Sequence, residues 1–128
     1  MTLGLAGIAA VSLVVAGVGI MNVMLVSVTE RRAEIGLLKA LGAANRQIMV
    51  SFLAEAVLLA CAGGLLGLAT GHAAVGLFVT YYPSFPAAPP AWAVGTAVAT
   101  SILVGVGFGV WPASRATRLD PVTALRGR

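Results

Sequence analysis

The distribution of charged side chains constrains this chain more than any other feature of its sequence. No charged residue occurs in residues 1–29 or 56–114, and the charges lie in short segments between and after these stretches. A helix of about 20 apolar residues crosses the roughly 30 Å hydrocarbon core of a bilayer, and both stretches exceed that length. Hydrophobic residues form 59% of the chain and charged residues 9%, which is far from the composition of a globular domain. The sequence therefore predicts a membrane protein.

The hydrophobic pattern predicts an all-α membrane protein with three transmembrane helices in a single domain, residues 1–128. The predicted spans are residues 3–28, 48–79 and 92–111. A charged connection, residues 29–46, joins the first two spans, and a proline-rich loop, residues 81–90, joins the last two. A short amphipathic C-terminal tail, residues 112–128, follows the third span. Prolines in the loop interrupt helical hydrogen bonding, and Tyr81, Tyr82 and Trp92 suit a headgroup boundary. The second span exceeds one crossing, so we expect it to tilt or to protrude.

All basic side chains are predicted to lie on one side of the membrane. The eight lysine and arginine residues fall in residues 31–46 and 115–128, and none falls in the loop at 81–90. The positive-inside rule places the connection and the tail in the cytoplasm, and the loop and Met1 outside.

The sequence offers no set of residues for catalysis or for metal binding. It lacks a GxxxxGK segment followed by Ser or Thr, which would cradle nucleotide phosphates, and a Ser, His and Asp set would have to be assembled from residues scattered through lipid. The single histidine, His72, and the single cysteine, Cys61, have no partners at metal-ligand spacing. We expect Cys61 to be a small packing residue and His72 to be packed or interfacial. We expect no catalytic residue, no metal site, no cofactor held by this chain and no nucleic-acid partner.

Small residues recur at four-residue intervals within the predicted spans, a spacing that lets helices approach closely. This pattern has two interpretations, which are packing within one chain and a seam between two copies. The amide of Asn22 is costly in lipid without a partner, so we expect it to bond a neighbouring helix rather than a substrate. The candidate helix-packing residues are Asn22, Gly63, Gly67, Gly71, Gly105 and Gly109.

The charged connection carries two different helix faces. Glu30 and Glu34 share a face with Leu37 and Leu41. Arg32 and Lys39 point nearly the opposite way. Two glutamates one turn apart repel each other unless cations join them. We infer a surface for a soluble partner, or for the arginines of the tail. The alternative is a basic loop attracted to anionic headgroups.

Glycines predict where the helices of this connection begin and end. We expect the first span to continue to about Ile35 and to break at Gly36, because glycine is unfavourable inside a helix. A short helix should then run from about Leu37 to Leu41, with Gly42 as its C-terminal stop.

Glu55 is the only acidic residue within a predicted span, and an ionisable group there suggests a functional site. It lies about 12 Å along the helix from Gln47 at roughly 1.5 Å per residue, which is shallow on the cytoplasmic side. We expect a structural ion pair with Lys39, Arg46 or Arg115. The alternative is a proton-carrying carboxylate in a small proton-coupled exporter.

Three segments together resemble a known family. They are GIMNVMLVSVTERRAEIGLLKALGA, FLAEAVLLACAGGLLG and GVWPASRATRLDPVTALR, in that order along the chain. They resemble the C-terminal part of the FtsX-like permease domain of MacB-type ABC transporters. In that family this connection is a coupling helix that docks on a cytoplasmic ATPase, so the resemblance assigns the role to residues 29–43. The residues implied for ATPase coupling are Thr29, Glu30, Arg31, Arg32, Glu34, Ile35, Leu38 and Lys39.

The resemblance also implies a function and partners. A permease dimer of this kind couples hydrolysis of Mg-ATP by an ATPase subunit or domain to export or mechanotransmission across the bacterial cytoplasmic (inner) membrane. A second permease copy, membrane lipids and extracytoplasmic adaptor proteins are the other expected partners. The family's first span and extracytoplasmic domain have no counterpart here, so we expect a partial permease domain. The alternative within the family is a non-transporting, FtsX-like regulatory membrane protein.

Overall fold

The computed structural model describes residues 2–84, 89–120 and 122, and every regular element among them is an α-helix. The helices are α1 (Thr2–Glu30), α2 (Arg32–Ala40), α3 (Asn45–Tyr81) and α4 (Ala91–Thr117). Within the described residues, α1, α3 and α4 are long and apolar enough to cross a membrane. The predicted all-α fold with three candidate spans is confirmed.

Helix α4 is the central helix of the bundle. It packs along both α3 and α1, whereas α1 and α3 touch each other little. A methyl group added at Gly105 or Gly109 of α4 would lie 2.6 Å from the Cβ of Ala60 or Ala56. The two backbones can approach this closely only because these positions are small. The facing pairs of this antiparallel seam are Ala56 with Gly109, Ala60 with Gly105, and Gly64 with Ser101.

The hydrophobic core lies at the end of the bundle that carries α2. Farther from this end, the ring of Phe108 from α4 packs against Gly17 of α1. Because the core draws buried side chains from all four helices, it holds α2 against the three long helices. The buried members of this core are Met24, Val28, Ile35, Ile48, Phe52, Ala56, Ala113 and Ala116.

All three long helices extend beyond the predicted spans, α3 and α4 by more residues than α1. Helix α3 has 37 residues, which corresponds to about 55 Å at 1.5 Å per residue and exceeds the hydrocarbon thickness. Helix α4 continues through Pro112, a fully buried residue, to Thr117. Proline has no N–H, so the carbonyl of Phe108 loses its helical partner. The helix nevertheless continues to Thr117. Residues 85–88 of the predicted loop, and residues 121 and 123–128 of the tail, lie outside the described residues.

The connection bends at a different residue from the one predicted. Arg31 separates α1 from α2, with φ −99° and ψ 18°, and Gly36 is buried inside α2. The predicted break at Gly36 is wrong because tertiary packing overrides the low helix propensity of glycine. Because glycine has no side chain, residue 36 can be buried against the bundle.

The predicted C-terminal stop of α2 is confirmed. Gly42 has φ +93°, a conformation that residues with a Cβ rarely adopt. The N–H of Gly42 donates to the carbonyl of Lys39 at 3.0 Å, and the N–H of Ala43 donates to that of Leu38 at 2.9 Å. These two bonds form a Schellman motif, which satisfies the last carbonyls of the helix.

Candidate functional site

The candidate site comprises α2 and the groove between α2 and α3. Ile35 and Gly36 are buried against the bundle. Away from the bundle, Leu37 of α2 is 52% exposed, and Leu41, the C-cap residue that follows α2, is 77% exposed. Neighbouring large apolar side chains that are this exposed in a charged segment indicate contact with another molecule.

Lys39 points from α2 toward the end of α4. Its Nζ donates hydrogen bonds to the carbonyl oxygens of Thr117 and Leu119, the latter at 2.9 Å. Carbonyls at a helix C-terminus have no partner within the helix, and they carry the negative end of the helix dipole. A lysine ammonium group is therefore favoured at this point. Its two bonds link α2 directly to α4.

Arg31 joins two glutamates beside the bend. Its Nε and Nη2 donate to the two carboxylate oxygens of Glu34 at 3.0 and 3.2 Å, and its Nη1 lies 3.7 Å from Oε2 of Glu55. The hydrogen bond and the charge of Arg31 lower the pKa of Glu34, and Glu34 in turn raises the pKa of Arg31. Exposed ion pairs add little stability. This cluster matters mainly because it connects the bend to α3.

The partner of Glu55 differs from the three that the sequence suggested, Lys39, Arg46 and Arg115. The bend at Arg31 brings the guanidinium group to α3, where it lies 3.7 Å from the Glu55 carboxylate. Lys39 is bound to the end of α4 instead. The expectation of a structural ion pair for Glu55 agrees with this geometry, although the partner was wrong.

A groove of about 320 Å³ opens between α2 and α3. Its rim carries the ion pairs of Arg31, and its walls include the apolar side chains of Leu38, Ile48 and Phe52. An apolar centre surrounded by charges is the composition of many protein docking surfaces. The remaining lining residues are Glu34, Ile35, Ala43, Gln47, Ser51 and Glu55.

Six of the eight residues that the resemblance implied for ATPase coupling lie at the surface. Ile35 is buried in the core, and Lys39 is bound to α4, so neither presents its side chain to a partner here. Leu37 and Leu41 are more exposed than Leu38. Both lie within residues 29–43, although neither is among the eight. Their sequence signal was their place on the Glu34 side of the helix, away from Lys39. The exposed members are Thr29, Glu30, Arg31, Arg32, Glu34 and Leu38.

The predicted helix-packing residues fall into two groups. Gly105 and Gly109 lie in the seam between α3 and α4, whereas an added Cβ at Gly63, Gly67 or Gly71 would have no atom within 4 Å. A packing role for these last three glycines therefore stays a prediction that concerns a helix outside this bundle.

Asn22 lies on an exposed face of α1, and Met24 two residues later is fully buried. No hydrogen bond involves the Asn22 amide within the part of the chain that the structure describes. The expected neighbouring helix is thus not one of those in the bundle.

No three histidine, cysteine or acidic side chains lie close enough to hold a metal ion among residues 2–84, 89–120 and 122. Nδ1 of His72 lies 3.0 Å from the carbonyl oxygen of Leu68, one turn earlier on α3. The imidazole group therefore finds its partner within its own helix.

Comparisons with known proteins show a consistent likeness. The family model described as FtsX-like permease C-terminal matches residues 6–121. The chain is 49% identical over 122 residues to the macrolide export ATP-binding/permease protein MacB of Bdellovibrio bacteriovorus, a match that covers 95% of the chain and 19% of that relative. It is 46% identical over 126 residues to the uncharacterized ABC transporter permease YknZ of Bacillus subtilis, covering 98% of the chain and 32% of the relative.

A third relative, the macrolide export ATP-binding/permease protein MacB of Burkholderia cenocepacia, is 47% identical over 125 residues, covering 98% of the chain and 18% of the relative. The chain therefore spans between 18% and 32% of the length of these three proteins.

Proposed function

Because this chain belongs to the FtsX-like permease family, we propose that it forms the membrane-embedded permease portion of an ABC-type system for export or mechanotransmission. In this system an ABC ATPase, either a separate subunit or a domain, hydrolyses Mg-ATP in the cytoplasm and displaces α2. The names of two relatives combine ATP binding with macrolide export, which supports an ATPase partner and favours export. The helices of this chain transmit the displacement of α2 into the membrane.

The observation that carries this proposal is the pair of hydrogen bonds from Lys39 to the end of α4. A helix that only rested on the membrane surface could shift without moving the spans. Here α2 follows α1 directly after Arg31, and its far end is bound to Leu119. Ile35 anchors the middle of α2 in the common core. We therefore expect a displacement of α2 to shift the ends of α1 and α4 together.

The surface offered to the ATPase combines leucines with charges. Leu37 of α2 and its C-cap residue Leu41 are exposed. Glu34 lies near them, and Arg31 partly balances its charge. Arg32 is exposed and forms no ion pair with any described residue. Apolar anchors surrounded by charged side chains suit a partner interface, because burial supplies affinity and charge supplies orientation.

The same proposal places the protein in the bacterial inner membrane, with the connection and tail in the cytoplasm. The basic residues at the α2 end of the bundle support this orientation. A second permease copy is the proposed neighbour of Asn22, because an amide in hydrocarbon is unfavourable without a partner. Membrane lipids and extracytoplasmic adaptor proteins complete the proposed assembly.

Charge reversal at Arg32 tests the docking role. Arg32→Glu breaks no ion pair among the described side chains, so it should not prevent membrane insertion. Because it reverses a charge on the proposed docking surface, it should lower co-purification of the ABC ATPase. Arg46→Glu reverses another exposed arginine, in the first turn of α3, and is the matched control. Undiminished co-purification of the Arg32→Glu variant would count against docking on α2. Arg31→Glu should have a larger effect, because it also breaks the contacts with Glu34 and Glu55.

Export and regulation differ in their response to substrate. An exporter should show ATPase activity that rises when a transported molecule is added to the assembly in proteoliposomes. A regulatory system should hydrolyse ATP at a rate that no candidate substrate changes. ATP hydrolysis should instead change the activity of an enzyme on the other side of the membrane.

A further inference from the structure

The outward face at the end of α4 carries a cluster that the coupling proposal does not use. The guanidinium group of Arg115 lies over the ring of Trp111, 5.5 Å from its centroid. This face points away from Ala113 and Ala116, which are buried in the core. A depression of about 440 Å³ opens there, and it is lined by Trp111, Ser114, Arg115, Arg118 and Leu119.

The two arginines of this cluster, Arg115 and Arg118, are both exposed. Neither Arg115 nor Arg118 forms an ion pair within the described ranges. Asp120, the acidic residue that follows them in the sequence, accepts the backbone N–H of Val122 at 3.2 Å. Two exposed guanidinium groups on one helix face therefore favour an anion, and their planar donors match a phosphate group.

The tryptophans of α4 indicate the depth of this cluster in the membrane. Trp92 is 72% exposed near the first turn of the helix, and Trp111 is 51% exposed near its end. Their separation is about 28 Å along the axis at 1.5 Å per residue, close to the thickness of the hydrocarbon core. Tryptophan is enriched at both membrane interfaces. Arg115, one turn beyond Trp111, thus reaches the level of the phosphates.

We propose that Trp111, Arg115 and Arg118 form a binding site for the phosphate of an anionic phospholipid in the leaflet at the α2 end of the bundle. The arginines hold the phosphate, and the Trp111 ring orients Arg115 and packs against the lipid below the headgroup. The Ser114 hydroxyl already donates to the carbonyl of Trp111 at 2.7 Å, so its proton is not available to the phosphate. An acidic protein surface is disfavoured, because the spacing of Trp92 and Trp111 puts the cluster at headgroup depth, on the face of α4 that points away from the core.

Fluorescence of Trp111 gives a direct test that does not depend on ATPase docking. The chain has two tryptophans, so Trp92→Phe leaves Trp111 as its only one. This variant is placed in phosphatidylcholine nanodiscs that contain the same minor fraction of brominated phosphatidylglycerol or brominated phosphatidylcholine. We expect stronger quenching by the brominated phosphatidylglycerol. Arg115→Gln and Arg118→Gln should each lower this preference by up to about fivefold, whereas Arg46→Gln should not change it.

Three results would overturn the assignment. Equal quenching by the two brominated lipids would show that no anionic lipid is concentrated at Trp111. A preference that survives the combined Arg115→Gln and Arg118→Gln changes, with loss of ATPase co-purification instead, would assign the face to the ATPase. Abolition of the preference by inorganic phosphate, but not by chloride of equal ionic strength, would identify a site for soluble phosphate.

Discussion

The ammonium group of Lys39 lies 2.9 Å from the carbonyl oxygen of Leu119. This contact joins the short helix after the first span to the residues that follow the last span. A lysine between leucines in a charged segment looks from its sequence like a solvated or partner-binding side chain. In the folded chain it instead caps α4, and the cap gives α2 a mechanical connection to the bundle.

Removal of this cap should loosen the end of α4. Lys39→Met keeps an unbranched apolar stem and removes the charged donor. We expect backbone hydrogen exchange at Arg118 and Leu119 to accelerate about tenfold, because a hydrogen bond to a charged group contributes roughly 1.5–3 kcal/mol. Hydrogen-exchange mass spectrometry in nanodiscs measures this, and Lys39→Arg is the control that retains donors. Unchanged exchange in Lys39→Met would contradict the proposed link.

The small-residue seam predicts a contrast between neighbouring glycines of α4. Gly105→Ala and Gly109→Ala place a methyl group 2.6 Å from the Cβ of Ala60 and Ala56. Each should lower the free energy of unfolding by about 1–3 kcal/mol through overpacking. Gly107→Ala is the matched control, because its added Cβ would meet no atom within 4 Å. Reversible unfolding in mixed micelles measures the difference, and equal losses at all three positions would refute this seam.

The ion pair beside the bend predicts a specific pH dependence. Because Arg31 lowers the pKa of Glu34, the pair contributes fully above the ordinary pKa of glutamate. Its contribution is lost as the pH falls through the lowered value in the folded protein. The carboxyl carbon shift of Glu34, followed by NMR, reports this titration. In Arg31→Gln the midpoint should rise, and a midpoint that stays in place would mean that the pair does not persist in solution.

Replacement of Glu55 separates an ion-pairing role from proton transport. Glu55 lies 3.7 Å from Arg31 and is partly exposed, so Glu55→Gln should change ATP-driven activity of the full assembly by no more than about twofold. Proteoliposomes that contain the chain without an ATPase should show no efflux under an imposed proton gradient. Proton-driven efflux by the wild type that Glu55→Gln abolishes would support the exporter hypothesis instead.

The sequence predicted the fold class because charge and apolar length alone define candidate spans. It also predicted Gly105 and Gly109 of the seam, but not the matching face of α3. The regular four-residue spacing of glycines on α3 favoured those glycines as packing positions. The positions of α3 that pack against α4 are instead mostly alanine, as at Ala56 and Ala60. Small residues occupy several faces of α3, and only the docked helix α4 selects one of them.

Two features of the candidate site had no local signal. The link from Lys39 to Leu119 joins residues far apart in the sequence, so it depends on how α2 and α4 meet. The bend at Arg31 likewise follows from packing, because Gly36 was the stronger helix breaker by propensity. The stop at Gly42 was predictable, because its conformation is a local requirement of the helix end.

The most direct test of the account is site-specific crosslinking from the exposed face of α2. Cys61 is the chain's single cysteine, so Cys61→Ala combined with Leu41→Cys gives one attachment point for a benzophenone maleimide. Illumination of the assembly with its ABC ATPase should give an ATPase adduct from position 41. A matched Leu77→Cys variant, exposed near the far end of α3, should give none. Absence of the adduct at position 41, or equal adducts from both positions, would contradict the claim that α2 couples the ATPase to the membrane helices.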